Sequence, residues 1–210
     1  MKKQITPMEG YANLMTEIKK RAEVIEFFLS GKGHALYTPT TAESVCLQIR
    51  KILELIAFSS LIANAKAYET VHKDFAIHWN AKKLLDNLER INPDFFPSPV
   101  SETPREKNDI IRMECATLTD GFLTKVDFVH IYNKCGGMLH ARNPYDGRDG
   151  YHYVEKSMRG WMQKIVKLLQ VHTIKSLGQK GFWLIHMHEN KDGRVYVYDC
   201  ASVAWPPVGH

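Results

Sequence analysis

Apolar residues recur at steps of three and four between residues 11 and 29, where Leu14, Ile18, Ala22, Ile25 and Leu29 share one side of a helical wheel and Lys19, Lys20 and Glu23 take the rest. That pattern predicts an amphipathic helix, ended by Gly31 and Gly33 and followed by a loop over 37–41. A long second helix is expected from Thr40 or Thr41 to about Asn64, since Glu43 follows Thr40 at capping-box spacing. Its apolar stripe is wide: Val45, Leu47, Ile49, Ile52, Leu53, Leu55, Ile56, Phe58, Leu61 and Ile62 cover most of the circumference, as a central helix packed on several sides requires.

A third helix is read from about His78 to Arg90, before Asn92-Pro93. From 93 to 108 the chain holds Pro93, Pro97, Pro99 and Pro104 and then a charged run, which predicts a loop or extended strap anchored by Phe95 and Phe96. Thr124 and Asp127 form a capping-box variant that opens a helix from Val126 to about His140, closed by Asn143-Pro144. Val154, Met158, Trp161, Met162, Ile165, Leu168 and Leu169 then mark a helix from about Tyr153 to Ser176. The period changes to two in the runs 182–188 and 194–200, which flank an Asp192-Gly193 turn signal and predict a β-hairpin. The expected fold class is therefore mainly α: an antiparallel bundle of about five helices over residues 1–178, carrying a small C-terminal β-hairpin over 179–210.

Composition narrows the class without naming it. With 210 residues, 44% of them hydrophobic, the chain can bury a core without disulfide or metal staples. The four cysteines, Cys46, Cys115, Cys135 and Cys200, show no CxxC pair or zinc-finger spacing. No signal-peptide-length apolar run follows the basic N-terminus, and Arg50, Lys51 and Glu54 interrupt the most apolar segment, so a cytoplasmic protein with no membrane span is expected. The net charge of +5 favours polyanionic partners but is spread over several helices. Phosphate loops, dinucleotide fingerprints, HExxH and GxSxG are all missing, and no cofactor or metal is expected at the principal site.

Three groups of residues invite a chemical reading. The first is 135–146, where Gly136-Gly137 sits near a helix end and is followed by His140, Arg142 and Asn143, with Arg148 and His152 shortly after. Each mid-helix glycine costs about 1 kcal/mol relative to alanine, which implies close helix approach or a functional demand on the backbone. On a phosphodiester, His140 can move protons while Arg142 stabilises charge on the phosphoryl oxygens; alternatively, these residues only cap a helix C-terminus. The second is Arg50, Lys51 and Glu54 within the apolar central helix, either contributing to a substrate-binding cleft or closing a structural salt bridge. The third is His186 and His188, on one face of a strand, able to ligate a metal if Glu189, Asp199 or Cys200 supplied a third ligand, or else simply solvated.

The helix 44–54, with Gln48, Arg50, Lys51 and Glu54, and the later helix ending in Met138, His140, Arg142, Asn143 and Pro144 together resemble the HEPN superfamily of prokaryotic helical proteins, over about Thr40 to Leu169. The resemblance implies a dimeric, metal-independent ribonuclease or RNA-binding protein of a toxin or phage-defence system, with an Arg and a His at a shared cleft. The family motif separates Arg from a following His by four to six residues. In this chain Arg148 and His152 are closer than that, and His140 precedes Arg142. Non-catalytic members act as interaction or antitoxin-like modules, for which a dimerising helical surface and a partner docked on the C-terminal hairpin are expected.

Overall fold

The computed structural model describes residues 5–65, 67–68, 81–107, 110–141, 145, 150–177 and 181–201. Its helices are α1 (Pro7–Leu29), α2 (Thr38–Ala63), α3 (Ala81–Ile91), α4 (Lys125–Met138) and α5 (Gly150–Leu169); its strands are β1 (Ser98–Lys107), β2 (Ile110–Thr117), β3 (Val171–Ile174), β4 (Gly181–His186) and β5 (Tyr196–Ala201).

Helix α1 starts earlier than its apolar repeat. Thr6 accepts from the Glu9 amide and Glu9 reaches back to the Thr6 amide, a closed capping box with Pro7 in the first turn. Helix α2 begins at Thr38, ahead of the cap expected at Thr40 or Thr41, so the cap position falls to Tyr37, which makes no side-chain cap bond, and the Thr40 and Thr41 hydroxyls donate to the Tyr37 carbonyl from within the first turn. Its wide stripe packs against α1, α3, α4 and α5, so α2 is the central helix. Ile49, Ile52, Leu53, Ile56 and Ala57 are sealed from solvent, whereas Leu47 lies at the exposed margin. Among the described residues, no helix is long and apolar enough to cross a membrane.

The expected bundle with a small hairpin is corrected by the sheet. All five strands form one antiparallel, curled half-barrel in the order β2-β1-β3-β4-β5. The proline-rich strap is largely a strand: β1 pairs with β2 from Val100 to Lys107 and with β3 only at Ser98 and Pro99. Beyond Pro99, β3 no longer flanks β1, which is where a strand tolerates Pro104, a residue without an amide donor. The helix expected to reach Ser176 stops at Leu169, and the β-branched run Val171-His172-Thr173-Ile174 joins the sheet instead. Strands β4 and β5 do form the expected hairpin, but β3 links it to β1, so it is the far side of a larger sheet.

The register sorts side chains by face. His172, Ile174, Trp183 and Ile185 point into the helical core, where Tyr11 meets Trp183 edge-on at 6.0 Å and contacts His172 Nε2 through its hydroxyl at 2.9 Å. The opposite face carries Val100, Glu102, Leu184, His186 and Tyr198. Val100 and Leu184 are buried there, outside the main core, beneath the curl of the sheet.

Candidate functional site

The polar residues of α2 meet α4. Thr124 and Asp127 cap α4 reciprocally, as its sequence predicts, and Lys164 of α5 holds Asp127 at 2.7 Å. The Lys164 and Thr124 contacts outweigh the effect of partial burial, which is the largest single influence and acts the other way, and hold the Asp127 carboxyl below its usual range. So fixed, α4 turns Phe128, Ile131, Tyr132 and Cys135 into the core. Phe128 and Tyr132 stack with ring centroids 6.2 Å apart.

Arg50 lies across this face. Its guanidinium carbon is 3.8 Å from the Tyr132 ring centroid, Nη2 donates to the Tyr132 hydroxyl at 2.5 Å, and Nη1 donates to the Tyr132 carbonyl at 3.3 Å. Nε is 3.5 Å from Glu54, the i,i+4 pair that the spacing implies, and Lys51 holds the other Glu54 oxygen at 3.0 Å. Arg50 keeps 28% of its side-chain surface exposed and Glu54 17%. Burial pushes the Tyr132 phenol up, with Glu54 adding to the shift and Arg50 opposing it. Beside it, the Cys135 thiol is raised by its contact with Cys46 on α2 and by burial. All four cysteines are free.

The two glycines of α4 now separate. A Cβ on Gly136 would lie 2.7 Å from Arg50 Nη1, so Gly136 makes room for the guanidinium; a Cβ on Gly137 would meet nothing within 4 Å. His140 is exposed just past the Leu139 C-cap, four residues beyond Gly136. Among the described residues, no contact joins it to Arg50. Arg142, Asn143 and Arg148 lie outside the described residues; His152 lies on α5, its side chain also outside them.

The hairpin histidines part company. His186 Nδ1 is 2.8 Å from Glu189 and its Nε2 is 2.7 Å from Glu102 of β1, on opposite sides of the ring. β4 ends at His186, and His188 packs against Gly193 in the turn. Among the described residues no group of three His, Cys, Asp or Glu side chains converges as a metal site.

The contacts of Arg50 with Tyr132 and of His186 with Glu102 escaped the sequence reading because each spans about eighty positions, with no local spacing to flag it. The adjacent glycines 136 and 137 near the end of α4 were a visible signal, and of the two only Gly136 faces Arg50. No protein-family model, curated protein or solved structure matches the chain.

Proposed function

We propose that this is a HEPN-like RNA-binding protein of a prokaryotic defence or toxin system, acting at the end of the α2–α4 seam. Support comes from one observation: a partly exposed guanidinium, Arg50, is held in place in an apolar helix by Glu54, Tyr132 and the space left by Gly136. Desolvating a cation is costly, and a pre-positioned Arg suits phosphate recognition. In this reading Arg50 contacts a phosphate, Glu54 and Lys51 orient it, and the exposed His140 supplies a titratable group nearby. Arg142, Asn143, Arg148 and His152 complete the set that the sequence nominates. Cleavage in this reading forms a bond from the ribose 2′-oxygen to phosphorus and breaks the bond to the 5′-oxygen of the next nucleotide, leaving a 2′,3′-cyclic phosphate, while His140 carries the proton from the 2′-OH to the departing oxygen, and it needs no metal.

Purified protein incubated with total RNA, with and without chelator, tests the catalytic form. Cleavage is expected to survive chelation and to fall in His140→Ala; no cleavage by the wild type, or equal cleavage by the variant, removes it. RNA affinity tests the binding form, with Arg50→Ala expected to weaken it about tenfold.

The second reading is a non-catalytic interaction module that dimerises through its helices and docks a partner on the β4–β5 hairpin. The full engagement of Arg50 by Glu54 and Tyr132 favours it, since a guanidinium so occupied also serves as an internal clasp. It predicts that Arg50→Ala lowers stability and leaves RNA affinity unchanged.

A further inference from the structure

β1 leaves its neighbour early. It pairs with β3 at Ser98 and Pro99 alone, and from Val100 onward the β1–β2 pair extends as an arm curled over the outer face of β4 and β5. Under this arm Val100 and Leu184 are buried, separately from the main core. A polar contact spans from arm to hairpin at His186 and Glu102, and it is tight: Nε2 is 2.7 Å from a carboxylate whose side chain is only 14% exposed. Nε2 is sealed from solvent and, for all its closeness to Glu102, makes no hydrogen bond. The other nitrogen, Nδ1, faces Glu189 at 2.8 Å, and Tyr198 donates to that same Glu189 oxygen at 3.1 Å.

An imidazole between two carboxylates has a state-dependent fit. Protonated, it carries a positive charge and an N–H at each nitrogen, and both carboxylates are served. Neutral, it keeps one N–H and turns a lone pair toward the remaining carboxylate, leaving a nearly buried carboxylate without its counter-charge.

We propose that His186 is a proton-operated latch: charged, it ties the β1–β2 arm to the β4–β5 hairpin through Glu102 and Glu189, and loss of one ring proton releases the arm. The other groups around the ring do not compete with it. Cys115 of β2 stands opposite Glu102, and Cys200 lies on β5; burial, then the neighbouring negative charges, hold both thiols above their ordinary range, so they stay neutral at moderate pH. Tyr198, packed edge-on against His186 at 5.3 Å, is likewise raised, chiefly by burial, and so is Tyr196, opposite His186 in register, chiefly by its hydrogen bond to Asp192. His172 of β3, on the far side of the sheet, is held neutral by burial down to about 4. Release uncovers Val100 and Leu184 and turns a closed half-barrel face into an accessible one.

Hydrogen exchange of the full chain, read at about pH 5.5 and about pH 8.5 and corrected for intrinsic rates, tests the latch. Protection over residues 100–107 and 110–117 is expected to drop about tenfold at the higher pH, the scale of one lost charge-assisted contact, while α2 between 45 and 57 stays unchanged. In His186→Gln the arm should exchange fast at both pH values. Glu102→Gln, on the arm itself, makes the same comparison should the histidine variant fold poorly. An arm whose protection is constant with pH in the wild type overturns the proposal, as does a pH response of undiminished size in the variants.

Discussion

Burial fixes the protonation of His172. With Nδ1 donating to the Leu169 carbonyl at 2.8 Å and Nε2 accepting from Tyr11 at 2.9 Å, the neutral ring is satisfied on both sides, and desolvation lowers its pKa from 6.5 to about 4. The unfolded chain binds this proton near pH 6.5, whereas the folded chain resists it. The stability that His172 contributes is therefore present above about pH 6.5 and is lost as pH falls toward 4, by about 3 kcal/mol in all. Denaturant titrations at several pH values should show that slope in the wild type, and His172→Leu should flatten it. The glycines of α4 offer a second contrast. Gly137→Ala, with open space around the new methyl, should raise stability by about 1 kcal/mol. Gly136→Ala gains the same helix propensity but displaces the Arg50 guanidinium, the mobile end of a long side chain, so stability changes little. If Arg50 contacts phosphate, RNA affinity falls in Gly136→Ala and not in Gly137→Ala, which binding titrations of the two variants would separate from a loss of fold.

Among the elements, those with local signatures were the legible ones. The Thr124–Asp127 box announced α4, the unusually wide stripe announced a helix with neighbours on many sides, and Asp192-Gly193 announced the β4–β5 hairpin. Thr124→Ala should cost about 1 kcal/mol in thermal or denaturant unfolding, because the hydroxyl serves the Asp127 amide at 3.1 Å. β1 was illegible for a physical reason. Its prolines and charges read as a loop or an unpaired extended strap, yet a strand with a single neighbour along most of its length accepts such residues and gains protection from stray pairing. β3 was hidden by its position directly after α5: four residues are too few for a period of two to stand out against a helical repeat. The site divided along the same line. Arg50 with Glu54 was visible as an i,i+4 pair, whereas Tyr132, which completes it, belongs to another helix and could be placed only by tertiary packing.

At the scale of the whole molecule, one central helix and one curled sheet share a core, and buried amides clamp part of the periphery. Asn64, at the end of α2, accepts from Asn92 at 2.8 Å and from the Leu177 amide at 3.3 Å, while Asn92 also donates to the Lys175 carbonyl at 3.1 Å. This pins the ends of two helices to the segment that leaves β3 and makes the closing of the sheet depend on the helices. The strand order has a further consequence in time. β1 and β2 leave the ribosome as a hairpin long before β3, since all of α4 and α5 lies between them in the chain. For that interval the nascent hairpin has no β3 to join and carries an open edge. Pro104, Arg105 and Glu106 lie along it, and Arg105 pairs across to Glu114. β3, when it is made, covers only Ser98 and Pro99, so a proline and a run of charges guard the stretch of edge that stays open in the finished fold as well as in the nascent hairpin.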